Sequence, residues 1–404
     1  MLLLFMQFLL RRGVHVPAVF AYSSTRMLLA AITTLLITIF AGPFVIRRLY
    51  ELKTGQSIRV EDCPMLEELH KKKKDTPTMG GILILFSMLI ALFLWMDWTS
   101  LFTLILFVST LVLGVIGAFD DYLKMKHKNS KGLRARRKFA FQVLLAAVIG
   151  GFLVWAPAAL EKGRWFKPPI AKVQTHSIEQ GRVDTRSETL ETSAYMGSYY
   201  FPFKKGPLFT LSGWLLIFGV LITAFVITGA SNAVNLTDGL DGLAAGTLVM
   251  AAGVLALFAF LSNNLEMSRY LNILYIEGAG EIAIYLCAMI GAALGFLWYN
   301  GYPAQVFMGD TGSIALGGIL GISAVLLRRE FLLALCGGVF VVEALSVILQ
   351  VGSYRYRNKK RIFLCAPLHH HFEYKGWPET KVVLRFWIIS FILAMVAIIS
   401  LKFQ

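Results

Sequence analysis

Two adjacent carboxylates, Asp120 and Asp121, stand at the end of an uncharged apolar run of 19 residues, 101–119. A run of this length can cross a bilayer as a helix. Neighbouring carboxylates repel each other and resist removal from water, so a cation or basic groups must compensate them. The 17 residues that follow carry eight lysines and arginines, including Lys124, Lys128 and Lys138. The pattern indicates a site for a charged group at a membrane edge.

A second polar motif lies in the segment 232–242, where amides and carboxylates recur every three residues. Its members are Asn232, Asn235, Asp238 and Asp241. The glycines at 239 and 242 weaken a helix, so we expect a helix end that passes into a tight loop. Such oxygen ligands suit a hard cation, or the hydroxyls and base of a nucleotide. The alternative is a capped loop between helices, because Asp and Asn are common in turns.

A third motif places Asp310 between Gly309 and Gly312, just before another apolar run. The glycines let the backbone approach a ligand closely, and Ser313 with the following helix N-terminus offers donors for phosphate. A plain helix N-cap is the alternative reading.

Three consecutive histidines, His369 to His371, follow Pro367. They do not suit zinc, because no cysteine or spaced histidine completes a tetrahedral set. Binding of an anion or phosphate fits better, and a solvated polar loop is the alternative. Gln350 is polar among apolar neighbours and either faces the site or bonds to an adjacent helix. The run Lys71–Lys74 is explained mostly by attraction to anionic lipid.

The elements that must position these motifs are membrane helices. The chain has 404 residues, of which 57% are hydrophobic and only 16% charged, where a soluble protein carries about a quarter. The predicted fold is an all-α polytopic membrane protein with one integral membrane domain, residues 1–404. The ten predicted spans are 27–46, 80–98, 101–119, 139–156, 211–230, 243–262, 280–298, 314–327, 332–352 and 383–402.

The basic residues predict the orientation of these spans. Eight lysines and arginines lie in the loop 47–79, eight in 120–138 and seven in 353–382, and these alternate loops share one face. By the positive-inside rule that face is cytoplasmic, so both termini lie outside. The same rule accounts for the net charge of +15 without nucleic acid. The loop 157–210 falls outside despite eight basic residues, as long loops do. It is predicted to form either a small hairpin or a mobile loop.

All the polar motifs fall on the predicted cytoplasmic face, which indicates a single active site. Several carboxylates, a divalent ion such as Mg²⁺ and surrounding basic residues are the ingredients of phosphoryl transfer. The sequence has no Walker loop, so ATP hydrolysis of that kind is not expected. An acceptor dissolved in the bilayer would explain a site at the membrane edge.

At these motifs the chain resembles the phospho-N-acetylmuramoyl-pentapeptide transferase family, within the polyprenyl-phosphate N-acetylhexosamine-1-phosphate transferases. The resembling segments are Thr76-Pro-Thr-Met-Gly-Gly, Phe119-Asp-Asp-Tyr, Asn232-Ala-Val-Asn-Leu-Thr-Asp-Gly-Leu-Asp-Gly-Leu, Tyr302-Pro-Ala-Gln-Val-Phe-Met-Gly-Asp-Thr-Gly-Ser and Ala366-Pro-Leu-His-His-His-Phe-Glu. The acidic motifs occur across the superfamily, whereas the triple histidine points to the muramoyl-pentapeptide branch. The loop 157–210 is longer than expected for the family.

The resemblance implies ten transmembrane helices in a bacterial inner membrane, dependence on Mg²⁺ and a homodimer. It also implies transfer from UDP-MurNAc-pentapeptide to undecaprenyl phosphate with release of UMP. Asp310 would be the Mg²⁺ ligand, Asp120 the base for the lipid phosphate, and Asp121 a support for either; Asp241 would bind the nucleotide or the catalytic phosphates. The implied substrate-binding residues are Lys74, Thr78, Lys124, Lys128, Lys138, Asn235, Asp238, Asn300, Gly309, Ser313, Gln350, His369, His370 and His371.

Three other functions are weighed against this one. A sibling transferase using UDP-GlcNAc would share the chemistry and differ in the sugar pocket. An ion-coupled transporter would also carry acids in membrane helices, but no row of charges crosses the middle of these spans. A scaffold without activity does not explain why four polar loops converge.

Overall fold

The computed structural model describes residues 5–6, 9, 12–13, 17–52, 73, 76–127, 132–155, 171–179, 182–190 and 192–403. Among these residues, nine helices are long and apolar enough to cross a membrane, and Gly81–Trp95 is a shorter apolar helix. The predicted class, an all-α multi-pass membrane protein, is confirmed.

Nine of the ten predicted spans correspond to one helix each, with some shifts at the ends, and the remaining one is divided between two helices. The longer helices are α1 (Ser23–Glu51), α2 (Gly81–Trp95), α3 (Leu101–His127), α4 (Ala135–Trp155), α6 (Leu216–Thr237), α7 (Leu243–Ser262), α9 (Ala279–Asn300), α10 (Gly309–Leu326), α12 (Gly338–Tyr356) and α14 (Glu379–Ile399). The short helices are α5 (Thr192–Gly197), α8 (Leu265–Tyr270), α11 (Glu330–Cys336) and α13 (Leu368–Tyr374). Single 3-10 turns cover Ala18–Ala21, Gly213–Leu215 and Ser400–Phe403.

Three boundaries differ from the sequence prediction in ways that matter for the site. Helix α3 continues to His127 instead of ending at 119, because hydropathy marks only the apolar part of a helix. Helix α10 begins at Gly309, so the motif 309–313 is its first turn and not a preceding loop. The predicted span 332–352 is divided at Gly337 into α11 and α12.

Helix α10 is the most enclosed of the candidate spans, with 89% of its apolar window buried. It fits between its neighbours because glycines stand where backbones nearly touch. A Cβ on Gly117 of α3 would lie 2.4 Å from the carbonyl oxygen of Asp310, and one on Gly81 of α2 would lie 2.1 Å from the nitrogen of Gly312. Small residues allow this close packing of membrane helices. The ends of α2, α3 and α10 are thereby brought together.

Four strands lie in the connection between α4 and α6, and a fifth follows the short helix α8. Strands β1 (Ala171–Glu179) and β2 (Arg182–Leu190) form an antiparallel hairpin, and β5 (Tyr275–Ile276) pairs with the other edge of β1. Strands β3 (Ser198–Tyr200) and β4 (Pro207–Thr210) form a separate antiparallel pair. Of the two forms predicted for the segment 157–210, the described part is therefore a hairpin.

The end of α10 that lies away from Asp310 meets a cluster of buried charges. Arg328 is fully buried, its Nε donates to the Ser198 carbonyl at 3.1 Å, and its guanidinium lies 4.4 Å from the centre of the Tyr199 ring. One of its terminal nitrogens lies 3.2 Å from Glu330. The Tyr195 hydroxyl donates to the carbonyl of Leu326, the last residue of α10. This end of the helix is thus fastened to the segment 192–200.

Candidate active site

Three carboxylates meet where the end of α3 adjoins the first turn of α10. Asp120, Asp121 and Asp310 each offer an oxygen atom, and these oxygens all lie within 4.8 Å of one another. The three residues are at most 9% exposed. Sequence analysis predicted this set from two separate motifs, and the structure brings it together.

Two lysines compensate the three acids. The Lys124 ammonium lies 2.6 Å from Asp120 and 3.0 Å from Asp310, and the Lys138 ammonium lies 2.7 Å from Asp310. Lys124 is one helical turn beyond Asp120 on α3, while Lys138 comes from the start of α4. Three carboxylates with two ammonium groups leave the cluster with one net negative charge. A bound divalent cation would therefore bring its net charge to only +1.

Asp120 and Asp121 have different surroundings although they are adjacent. Asp121 accepts hydrogen bonds from the backbone N–H groups of Asp310 at 3.2 Å and Thr311 at 2.9 Å, and from the Thr311 hydroxyl at 2.7 Å. It therefore caps the N-terminus of α10, where a negative charge is favourable. Asp120 accepts from the Leu133 N–H at 2.7 Å and its other oxygen faces Lys124. Of the pair, Asp120 lies closer to the Lys124 ammonium, at 2.6 Å against 3.7 Å for Asp121, and Asp121 holds the helix.

Asp238 follows the last residue of α6 and lies close to the carboxylate cluster. Burial, followed by the negative charges of Asp310, Asp121 and Asp241, raises its pKa to about 7, although the Gly309 N–H opposes this. Asn235, one turn earlier, accepts a hydrogen bond from the Ser313 hydroxyl at 3.2 Å. The motif 232–242 therefore contacts the first turn of α10, as expected for a shared site.

Asp241 belongs to a second charged cluster. One of its oxygens lies 2.6 Å from the Lys73 ammonium, and the other accepts the Ala304 N–H at 3.0 Å. Lys73 also lies 2.6 Å from Glu379, the first residue of α14, and Glu379 accepts the N–H of Asp241 at 2.8 Å. This Lys73 cluster, made of Lys73, Asp241 and Glu379, connects three distant parts of the chain.

The amide oxygen and the amide nitrogen of the Asn300 side chain both form hydrogen bonds with the backbone. Its oxygen accepts the Gly242 N–H at 3.0 Å and its nitrogen donates to the Val306 carbonyl at 2.9 Å. The residue is 3% exposed. Asn300 therefore fixes the loop after Asp241 against the segment that leads to α10, and a direct contact with a nucleotide remains a prediction.

The three histidines of α13 have three different environments. His369 is fully buried beside Glu343 of α12, with Nδ1 at 3.2 Å from that carboxylate, and its Nε2 would lie 2.3 Å from a Cβ on Gly239. His370 pairs with Glu373 at 2.6 Å. His371 accepts the Leu364 N–H at 3.1 Å, and burial together with Lys375 lowers its pKa. His369 packs directly against Gly239 of the 232–242 motif.

Gln350 bonds to a neighbouring loop, whereas the predicted alternative to a role in the site was a bond to an adjacent helix. Its oxygen accepts the N–H groups of Ile362 and Phe363, each at 3.0 Å, and its nitrogen donates to the Phe363 carbonyl at 3.0 Å. It also lines an open cleft of about 880 Å³, together with Tyr354, Arg355, Arg361 and Ala366.

The remaining predicted residues divide into two groups. Thr78 lies beside the cluster, since a Cβ on Gly309 would be 2.7 Å from its hydroxyl and 2.8 Å from Asp121. Lys74 and Lys128 lie outside the described residues. Sequence reasoning missed Lys73, Glu343 and Glu379. A lone acid in an apolar helix is the signal for Glu343, whereas Lys73 was hidden in the run Lys71–Lys74 and Glu379 resembles an ordinary first-turn residue.

Comparison with known families defines the class of protein. The model of glycosyl transferase family 4 matches residues 103–328, more than half of the chain. The matched segment includes nearly all of α3, the whole of α10 and all three clustered carboxylates. A phospho-N-acetylmuramoyl-pentapeptide-transferase signature matches residues 73–85, the segment with Lys73 and Thr78. The fold, the site and these matches together define a multi-pass membrane transferase.

Curated relatives narrow the class to one family. The phospho-N-acetylmuramoyl-pentapeptide-transferase of Protochlamydia amoebophila is 64% identical over 394 residues, covering 96% of each chain. Those of a Geobacter species and of Desulfotalea psychrophila are 47% and 45% identical over 386 residues, covering 96% of this chain and 95% of each relative. The chain belongs to the phospho-N-acetylmuramoyl-pentapeptide-transferase family.

Proposed function

We propose that the protein transfers phospho-N-acetylmuramoyl-pentapeptide from UDP-MurNAc-pentapeptide to undecaprenyl phosphate, giving lipid I and UMP. The observation that carries this proposal is the cluster of Asp120, Asp121 and Asp310 with Lys124 and Lys138, at the ends of apolar helices. The family to which the chain belongs supplies the identity of the donor and acceptor. A polyprenyl acceptor is soluble only in the bilayer, which accords with a site at helix ends.

The carboxylate cluster is suited to Mg²⁺. Its ligands are hard oxygens from two helices within 4.8 Å of one another, which is the chemistry that this ion prefers. Asp310 would hold the ion, and Asp121, which is already bonded to the first turn of α10, would support it. A bound Mg²⁺ would neutralise charge on the donor diphosphate.

The reaction needs little covalent help from the protein. An oxygen of the lipid phosphate attacks the donor phosphorus that carries the sugar, and the bond from that phosphorus to the UMP oxygen breaks. The second pKa of a phosphate monoester is about 6, so most of the acceptor is already ionised at neutral pH. Asp120 takes the proton of the remaining fraction, while Lys124 and Lys138 neutralise the phosphate oxygens. We favour this direct attack over a two-step route through a phosphorylated carboxylate.

The donor nucleotide is assigned to the side of the site formed by the motif 232–242 and the segment 300–308. Asn235, Asp241 and Asn300 lie on this side, and His369 packs on Gly239 at its edge. The histidines of α13 would complete the site for the donor phosphates.

We further propose an orientation in which this site faces the cytoplasm, both termini lie outside the inner membrane, and two copies form a homodimer. The distribution of lysine and arginine among alternate loops supports the orientation. One integral membrane domain carries the activity, and the segment 157–210 is an outer insertion.

The decisive experiment is UMP release by the purified protein with undecaprenyl phosphate and UDP-MurNAc-pentapeptide. Activity is expected with Mg²⁺ and should disappear with EDTA and return when Mg²⁺ is restored. Parallel reactions with UDP-GlcNAc distinguish the sibling transferase, which would prefer that donor. An ion-coupled transporter would release no UMP from either donor.

A further inference from the structure

Glu379 is absent from every motif that identified the site, yet it contacts two site residues at once. Its carboxylate lies 2.6 and 2.7 Å from the Lys73 ammonium and accepts the Asp241 N–H at 2.8 Å. It is the first residue of α14 and follows Pro378, which ends the preceding segment. The first turn of a helix favours a carboxylate, so the position itself stabilises the charge.

We propose that Glu379 is a positioning residue for the nucleotide part of the donor, acting through Lys73 and the Asp241 loop. The proposal rests on the proposed function. Without Glu379, Lys73 would keep one carboxylate partner, Asp241, and the Asp241 N–H would lose its acceptor. Glu379 therefore sets the position of both the cation and the loop.

The surroundings of Lys73 indicate why a nucleotide is the ligand affected. Its ammonium lies 5.9 Å from the centre of the Tyr302 ring and 6.0 Å from that of Phe307. A planar base can stack on such aromatic faces, and an ammonium beside them attracts its oxygens or a phosphate. Asp241 also accepts the Ala304 N–H, which ties this aromatic segment to the same cluster.

The Lys73 cluster is distinct from the carboxylates that would act on the phosphates. Lys73 pairs with Asp241 and Glu379, whereas Asp120 and Asp310 pair with Lys124 and Lys138. Loss of Glu379 should therefore weaken binding of the donor without changing the chemical step. A change that removes uniform binding raises KM and leaves kcat unchanged.

The test compares steady-state kinetics of wild type, E379Q, E379D and K73M. E379Q should raise KM for the donor about tenfold, the order expected when one charge-assisted hydrogen bond is lost. The kcat and the KM for undecaprenyl phosphate should stay within about twofold, and E379D should recover part of the loss by restoring the charge. E266Q is the control, since Glu266 is also an acid in the first turn of a helix, α8, and it lies outside the site.

A double variant tests whether Glu379 acts through Lys73. In K73M/E379Q the KM for the donor should match that of K73M alone, because the glutamine oxygen can still accept the Asp241 N–H and E379Q therefore removes only the charge that faces Lys73. Three outcomes would overturn the proposal. They are an unchanged donor KM in E379Q, a fall in kcat alone, or a donor KM in the double variant that has risen by the product of the two single-variant increases. If E379Q does not fold, E379D provides the comparison, because its shorter side chain should still raise the donor KM, by less than about tenfold, and leave kcat unchanged. An inactive wild type would contradict the proposed function instead, whereas active wild type with normal E379Q contradicts only this inference.

Discussion

The two ends of α10 both bury charged side chains, but they do so in different ways. At the Asp310 end, the ammonium groups that face the carboxylates belong to Lys124 and Lys138, whose side chains remain 26% and 16% exposed. At the other end, the Arg328 side chain is fully enclosed, and the Tyr199 ring covers its guanidinium. The first set of charges can be reached by a ligand and the second cannot.

This difference separates a binding site from a structural anchor. A lysine is a flexible point charge that can leave a carboxylate when a phosphate arrives, whereas a stacked arginine is held in one geometry. Both terminal nitrogens of Arg328 lack a hydrogen bond within the described part of the chain, although one lies 3.2 Å from Glu330. Such an enclosed pair costs much desolvation energy, so breaking it should affect folding more than chemistry.

The strongest test of the comparison is to neutralise carboxylates at the Asp310 end of α10, the accessible end. D310N and D120N should each lower kcat at least about a thousandfold, since each removes charge that acts on the reacting phosphates. The proteins should remain folded, because Asn keeps the shape of Asp and the lysines can turn to water. UMP release and size-exclusion chromatography in detergent measure both properties. Full activity in either purified variant would contradict the assignment.

A substitution at the Arg328 end of α10, the enclosed end, should lower stability and leave activity nearly unchanged. R328M leaves Glu330 buried without its partner, so we expect a loss of about 3 kcal/mol in stability, in the range found for broken buried pairs. Activity per folded molecule should stay near that of wild type. Thermal unfolding in detergent measures the loss, and R269M on the short helix α8 is a control for removal of an arginine elsewhere. Lower kcat with normal stability would mean that this end also serves catalysis.

Sequence reasoning predicted the accessible end better than the enclosed one. The positions of the apolar helices and the convergence of Asp120 with Asp310 followed from hydropathy, basic loops and motif chemistry. The continuation of α3 to His127 did not, because Asp and Lys at a helix end do not register as apolar. The pairing of Lys73 with Glu379 joins residues 306 positions apart, and no local pattern encodes such a contact. The Arg328 anchor likewise depends on packing against the segment 192–200.

At the accessible end, substitution of Asp121 by asparagine should lower kcat less than the same substitution of Asp120. Its main contacts are three hydrogen bonds from the first turn of α10, and an asparagine oxygen can accept some of them. We expect D121N to lower kcat by about ten- to a hundredfold, the loss of one to two charge-assisted hydrogen bonds. UMP release across Mg²⁺ concentrations measures it beside D120N. Equal losses in the two variants would show that the adjacent acids share one role.

The last expected effect is a pH dependence of stability that belongs to the accessible end. Asp238 has a pKa near 7, raised from the ordinary 3.8 by burial and by neighbouring carboxylates, so its ionised form is disfavoured in the folded protein. Its contribution is most favourable below about pH 4 and is lost as the pH rises to about 7. The Tm of wild type, compared with that of D238N at the same pH, should therefore decline between pH 5 and 7 and level off near pH 8.

The R328M protein tests whether this decline of Tm with pH depends on the Asp310 end of α10 alone. Because Arg328 lies at the other end of α10, R328M should lower the Tm by a constant amount and keep the same decline with pH, whereas D238N/R328M should lose the decline. A decline that persists in D238N would assign the titration to another group. A decline that changes in R328M would mean that the two ends are coupled through α10, and the distinction between binding site and anchor would then fail.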